Sequence, residues 1–245
     1  GTEIEIRRDD RGFRVSHDQG SVSVERLLMA TGRVPNSLGL GWDRAGIATT
    51  EKGLPHFDAD TLQVAGTRIF LAGDATGAPA NLQRAAIEGR VAGYNATHTQ
   101  AMSVPRSTPM SIVFSDPNIV EVGRRWDRLD PDTTVVARMR FGPVGRAMIM
   151  RKNRGLLKLY ADRRSRVLLG GSMVGPGCEH LAHLLAGFVQ QGLTAEQAAS
   201  MPFYHPVIEE ALQDGLMELH RVLESQPSAT GRSDLPAGDL RPNAA

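Results

Sequence analysis

His205-Pro206 stands just ahead of an apolar-periodic run, and two carboxylates, Glu209 and Glu210, follow within a turn. Proline fixes the backbone after the histidine, so a carboxylate one turn on can fold back onto the imidazole. Such a pair holds one tautomer and suits the ring to shuttle protons. The same residues also read as an ordinary polar helix start. A second candidate is Gly73-Asp74, at the end of the run Arg68-Ile-Phe-Leu-Ala72. That run reads as a short strand buried on both faces of a parallel sheet. An aspartate at its end can accept hydrogen bonds from a polyol hydroxyl. The helix expected from about Asn81 would offer free N–H groups and positive dipole to an electron-rich ring edge. Gly73, Asp74, Asn81 and Leu82 are therefore the candidate cofactor-binding residues, with Asp74 as a simple turn cap the alternative.

Other reactive residues point less far. His180 and His183 share a helix face with Cys178 and Glu179 nearby. No second cluster completes a metal site and nothing resembles His-Glu-x-x-His, so no metal is expected and a solvated face is the reading. Cys178 follows Gly175-Pro-Gly177 near an expected helix N-terminus, a position that lowers a thiol's pKa. The run Gly170-Gly-Ser-Met-Val-Gly-Pro-Gly177 is glycine-rich but lacks the order of a phosphate loop.

The elements around these residues fall into stretches of different character. Glu3 to Arg8 alternates as a half-buried strand does, and Phe13 to Ser16 and Ser21 to Val24 follow as further strands across turn residues. Three strands with no opening element read as the end of a domain, so sequence upstream is expected. Irregular sequence leads to the 68–72 run. A helix over about 81–98 then carries Leu82, Ala85, Ala86, Gly89 and Gly93, small residues that permit close approach of a sheet or a flat ligand. Beyond about 105, β-rich runs at 110–115, 119–122, 133–139, 147–150, 156–160 and 167–169 predict an antiparallel sheet. Helices follow: one with Leu181, Leu184, Leu185, Phe188 and Val189 on one stripe, a short one opened by the capping box Thr194-Ala-Glu-Gln197, and a last over about 206–223. Residues 226–245 hold three prolines, two glycines and no aromatic, a composition expected to stay disordered.

Composition sets the class. Of 245 residues, 41% are hydrophobic and 22% charged, and 28 basic residues stand against 27 acidic ones. That balance argues against a nucleic-acid partner. No run approaches the ~18 apolar residues of a membrane span, and the first residues lack a signal peptide's basic and apolar regions. The lone cysteine excludes an internal disulfide framework and suggests the cytoplasm.

In order, four segments resemble the C-terminal half of a flavin-dependent pyridine-nucleotide-disulfide oxidoreductase. Leu28-Met-Ala-Thr-Gly-Arg-Val-Pro-Asn36 is similar to the family's exit from its NAD domain. Ile69-Phe-Leu-Ala-Gly-Asp74 is similar to its second flavin motif, Phe114-Ser-Asp-Pro-Asn-Ile-Val-Glu-Val-Gly123 to the opening of its dimerisation domain, and Tyr204-His-Pro-Val-Ile-Glu-Glu210 to its His-Pro-Thr-x-x-Glu motif. The match is closest to the dihydrolipoamide dehydrogenase branch, with glutathione and mercuric reductases as relatives; His205 argues against the mercuric branch.

The resemblance implies an α+β chain: the C-terminal piece of an FAD/NAD(P)-binding α/β domain, then a dimerisation domain of antiparallel sheet plus helices. Residues 1–32 would end the NAD-binding domain, 33–105 belong to the FAD-binding domain, 106–225 form the dimerisation domain and 226–245 a tail. It implies FAD and NAD as cofactors, a homodimer, lipoamide as substrate and a 2-oxo acid dehydrogenase complex as partner. Asp74 would bind the ribityl chain, and His205 with Glu210 would be the acid–base pair used across the dimer. Val207 replaces the motif's threonine. The family's first flavin motif, redox cysteine pair and NAD fingerprint are absent, so the chain reads as a fragment. A glutathione-reductase-like enzyme, or a catalytically silent dimerisation module, is the alternative.

Overall fold

The computed structural model describes residues 3–10, 12–37, 39–79 and 81–225, and it separates into two compact units at Pro105/Arg106. The tail expected to be disordered lies outside the described residues.

The first unit opens with an antiparallel meander of β1 (Glu5–Asp9), β2 (Gly12–His17) and β3 (Gly20–Val24), in the order β1-β2-β3. The alternation of β1 predicted a half-buried strand, yet all five of its residues are exposed. Antiparallel ladder bonds to β2 hold it in place. The run at 68–72 also departs from expectation. It forms no strand of a parallel sheet: Phe70 makes one isolated antiparallel bridge to Gln63, and Ile69 is 37% exposed. The described residues supply no parallel neighbour to complete a ladder, so its apolar character goes into a small irregular core of Leu62, Val64, Leu71 and Val91.

Helix α1 (Leu82–Thr97) follows a 3-10 turn at Gly73–Thr76. Its start is set by Asn81, whose side chain accepts the Arg84 N–H at 3.1 Å; N-cap asparagines satisfy donors that a helix otherwise leaves orphaned. The buried face is Glu88, Val91 and Asn95, not the small-residue stripe, and nothing lies within 4 Å of a Cβ at Gly89 or Gly93. Asn95 secures the far end. Its amide donates to the carbonyls of Thr61 and Met102 and its oxygen accepts the Met102 N–H.

The second unit is a five-stranded, wholly antiparallel sheet of β4 (Met110–Val113), β5 (Asn118–Gly123), β6 (Thr134–Arg140), β7 (Leu156–Asp162) and β8 (Leu168–Gly175), ordered β4-β5-β8-β7-β6. Helix α3 (Cys178–Gln190) packs on β5 and β8, and α5 (Glu210–Ser225) on β6 and β7. Val120, Val122, Leu157, Leu159 and Met173 from the sheet meet Leu181, Leu185, Leu212, Leu216 and Leu219 from the helices in one buried cluster. The helix α4 (Ala195–Ala199) carries the capping box expected from Thr194 and Gln197.

Two elements differ from their sequence pattern. Residues 147–150, expected as strand, lie in or beside the short helix α2 (Gly145–Ile149), where Ala147 is buried and Met148 to Met150 are exposed. The glycine-rich run is mostly β8, the central strand. Its glycines make room: a Cβ on Gly175 would sit 2.6 Å from the Phe141 ring, and one on Gly171 2.7 Å from the Lys158 carbonyl.

Candidate active site

The segment 201–209 is irregular, and helix α5 begins at Glu210, so Glu209 stands before the helix and not in its first turn. Ile208, Ala211 and Leu212 are buried and fix this junction against the core. The consequence is a pair: His205 Nδ1 lies 2.7 Å from Glu210 Oε1, while Glu210 Oε2 accepts the Val207 N–H at 3.1 Å. The valine that replaces the motif's threonine thus holds the carboxylate through its backbone. The His205 hydrogen bond, with the Val207 N–H, holds the Glu210 carboxyl below the ordinary carboxylate range against its partial burial. An ionised carboxylate only accepts, so Nδ1–H is the donor in this pair and Nε2 is the ring nitrogen left facing outward. That ring is 77% exposed. A cleft of about 790 Å³ adjoins this loop, lined among others by Tyr204, Pro206, Arg146, Lys152 and Glu179. Asp214, one turn into α5, has its carboxyl pushed up by burial and by Glu210.

The other group of predicted residues lies in the first unit. Gly73 adopts φ +64°, and a Cβ there would lie 3.0 Å from that of Ala85, so the turn calls for glycine. Asp74 follows with its carboxylate half exposed and 3.6 Å from an Arg33 nitrogen. An exposed pair of this kind holds loosely and leaves the carboxylate able to accept from a polyol. Leu82 is 87% exposed at the start of α1. Asn81 caps α1 through its side-chain oxygen. The group therefore fits the flavin implied by the sequence in part: acceptor, tight turn, helix N-terminus and open small-residue stripe are present. Sequence reasoning did not single out Arg33 or Glu88. Glu88 accepts the Gly73 N–H, and its signal was a carboxylate one turn from Ala85 on the face that packs.

The cysteine expectation is corrected. Cys178 is fully buried, and desolvation, reinforced by Glu179, pushes its thiol up to about 12. His183 Nδ1 lies 2.6 Å from the Glu179 carbonyl and His180 3.7 Å from its carboxylate. Among the described residues no helix is long and apolar enough to cross a membrane.

Comparison with known proteins places this architecture. Residues 1–89 match the pyridine nucleotide-disulphide oxidoreductase family and residues 109–215 its dimerisation domain. The chain belongs to the pyridine nucleotide-disulphide oxidoreductase family. Among curated relatives it is 28% identical to a dihydrolipoyl dehydrogenase of Geobacillus stearothermophilus, over 81% of this chain and 42% of that protein. It is 30% identical to one of Haloarcula marismortui, over 84% and 44%. An NAD(P)H dehydrogenase (quinone) of Mycobacterium tuberculosis is 29% identical, over 87% and 44%. The chain thus spans less than half the length of these relatives. Among solved structures, LpdA of Mycobacterium tuberculosis superposes with a TM-score of 0.75 at 26% identity, covering 89% of this chain and 48% of that one. The HOCl-induced flavoprotein disulfide reductase RclA of Escherichia coli shares the fold, with a TM-score of 0.76 at 24% identity over 88% and 50%.

Proposed function

We propose that this chain is the C-terminal portion of an FAD-dependent, NAD-linked dihydrolipoyl dehydrogenase, to which it brings the acid–base pair and part of the flavin site. The observation that carries this reading is the His205–Glu210 hydrogen bond at 2.7 Å beneath an exposed imidazole. Bound FAD would supply the two-electron exchange between dithiol and NAD. Asp74 and the turn at Gly73 would hold its polyol chain, with Leu82 and the start of α1 beside it. His205 Nε2 takes the proton of a substrate thiol, and Glu210 balances the imidazolium that results. Residues 1–32, 33–105 and 106–225 are on this reading the end of the NAD domain, the flavin-domain piece and the dimerisation domain. The proposal includes a homodimer, lipoamide as substrate, a 2-oxo acid dehydrogenase complex as partner and a cytoplasmic setting suited to a buried free thiol.

The proposal has His205 serving the partner subunit's redox centre. A base must come within about 3 Å of its proton donor, and its loss typically costs ~10²–10⁴ in rate. Two inactive variants of the complete enzyme, His205→Ala and one lacking a redox cysteine, should regain activity when unfolded, mixed and refolded together. Exchange of subunits without recovery would defeat this role for His205. Because one curated relative is a quinone dehydrogenase, the same preparation assayed with lipoamide, glutathione disulfide and quinones decides the substrate class.

A further inference from the structure

The buried face of α1 carries a carboxylate. Glu88 has a side chain only 1% exposed, and both its oxygens are engaged: Oε2 accepts the Gly73 N–H at 2.7 Å and Oε1 accepts Arg84 Nε at 2.5 Å. An apolar residue would fill this place without the desolvation that a buried carboxylate incurs, so packing alone does not call for glutamate. What the glutamate adds is a hold on one peptide unit. Gly73 is left-handed, and its carbonyl is taken by the Thr76 hydroxyl at 2.8 Å. With Glu88 on the N–H, both backbone polar groups of Gly73 are fixed. The next residue is Asp74, whose carboxylate stays half exposed.

We propose that Glu88 is a positioning residue of the flavin site: by accepting the Gly73 N–H it locks the left-handed turn that presents Asp74 and ties that turn to α1. This rests on the reading that Asp74 meets the flavin. Glu88 does so as a hydrogen-bond acceptor, and Arg84, half exposed on the outer side, balances its charge. The role therefore survives removal of the charge but not of the acceptor.

Three variants of the complete flavoprotein test this: Asp74→Ala, Glu88→Met, which keeps volume and loses the acceptor, and Glu88→Gln, which keeps an acceptor and loses the charge. FAD release is followed by the rise in free-flavin fluorescence. Hydrogen–deuterium exchange of the peptide around Gly73 is measured on the 245-residue chain, without flavin. Glu88→Met should release FAD at least about tenfold faster and expose the Gly73 amide to exchange, because it removes the acceptor of a part-buried donor. Glu88→Gln should stay within about twofold of the parent on both readouts, a rescue that a charge-dependent role would not give, while a purely space-filling role would leave Glu88→Met unchanged as well. If Asp74→Ala releases FAD and Glu88→Met does not, the positioning role is wrong while the flavin site stands. If Asp74→Ala holds FAD, the reading of Asp74 fails and this proposal with it. Should Glu88→Met not fold, Glu88→Gln decides alone: release of FAD about tenfold faster overturns the proposal, and retention with a protected Gly73 amide supports it.

Discussion

The two units hold their candidate residues by different physical means. Residues 106–225 bury one continuous apolar cluster in which sheet and helices share leucines, and the His205 loop is anchored by Ile208 and Leu212. The described residues of 3–105 bury few hydrophobic side chains, Leu62, Val64, Leu71 and Val91, and tie their turns with buried polar groups instead, Glu88 to Gly73 and Asn95 to Thr61 and Met102. Packing is non-directional and cumulative, so the second unit can expose an imidazole and still keep it in place. Hydrogen bonds are directional and individually small in net effect, so the first unit's geometry hangs on a few partners. A site can rest on bulk burial or on a handful of oriented polar contacts, and the two respond differently to damage.

The sharpest way to break this contrast is to separate the units. Residues 106–225 produced alone should give a cooperative thermal transition by circular dichroism, whereas 3–105 should give none. Equal cooperativity in both would erase the distinction. Within the second unit, Leu212→Ala should lower unfolding free energy by about 2–5 kcal/mol, since a fully buried leucine leaves a cavity. Chemical denaturation measures it. A smaller loss, about 1–3 kcal/mol, is expected for Gly175→Ala, where a methyl must force the Phe141 ring aside.

The smallest effect is electrostatic and sits on the second unit's surface. The Glu210 carboxyl is lowered first by its His205 hydrogen bond and then by the Val207 N–H. A depressed carboxyl contributes stability that is complete above its unfolded value of about 4.3 and lost as pH falls through the folded value. A ¹³C titration of Glu210 should therefore show a midpoint below the ordinary carboxylate range. In His205→Ala that midpoint should move up toward it. A midpoint unmoved by the substitution would mean that the pair contributes nothing in solution.

Much of this was legible in the residues themselves because the signals are local. Asn81 and Thr194 announce helix starts by short-range capping chemistry, and α1 and α4 begin beside them. The stripe of Leu181, Leu185 and Phe188 faces the core, as its 3.6-residue period requires. His205 and Glu210 stand five residues apart, short enough for the side chains to meet across the irregular segment that leads into α5. What the sequence could not decide was whatever depends on distant neighbours. Residues 68–72 have the composition of a buried parallel strand, but a strand exists only where another pairs with it. Residues 147–150 alternate no better as strand than as helix, and the choice falls to α2 because Ala147 packs into the core. Cys178 stands at a helix N-terminus that would acidify it, yet full burial outweighs the dipole and pushes the thiol up to about 12. Glu88 looks like any helical glutamate until the Gly73 turn, fifteen residues earlier, is folded against it. Local spacing fixes caps, periods and neighbouring pairs; burial and long-range partners are properties of the assembled fold, and they decide the Cys178 thiol, strand identity and the buried carboxylate that ties a turn to a helix.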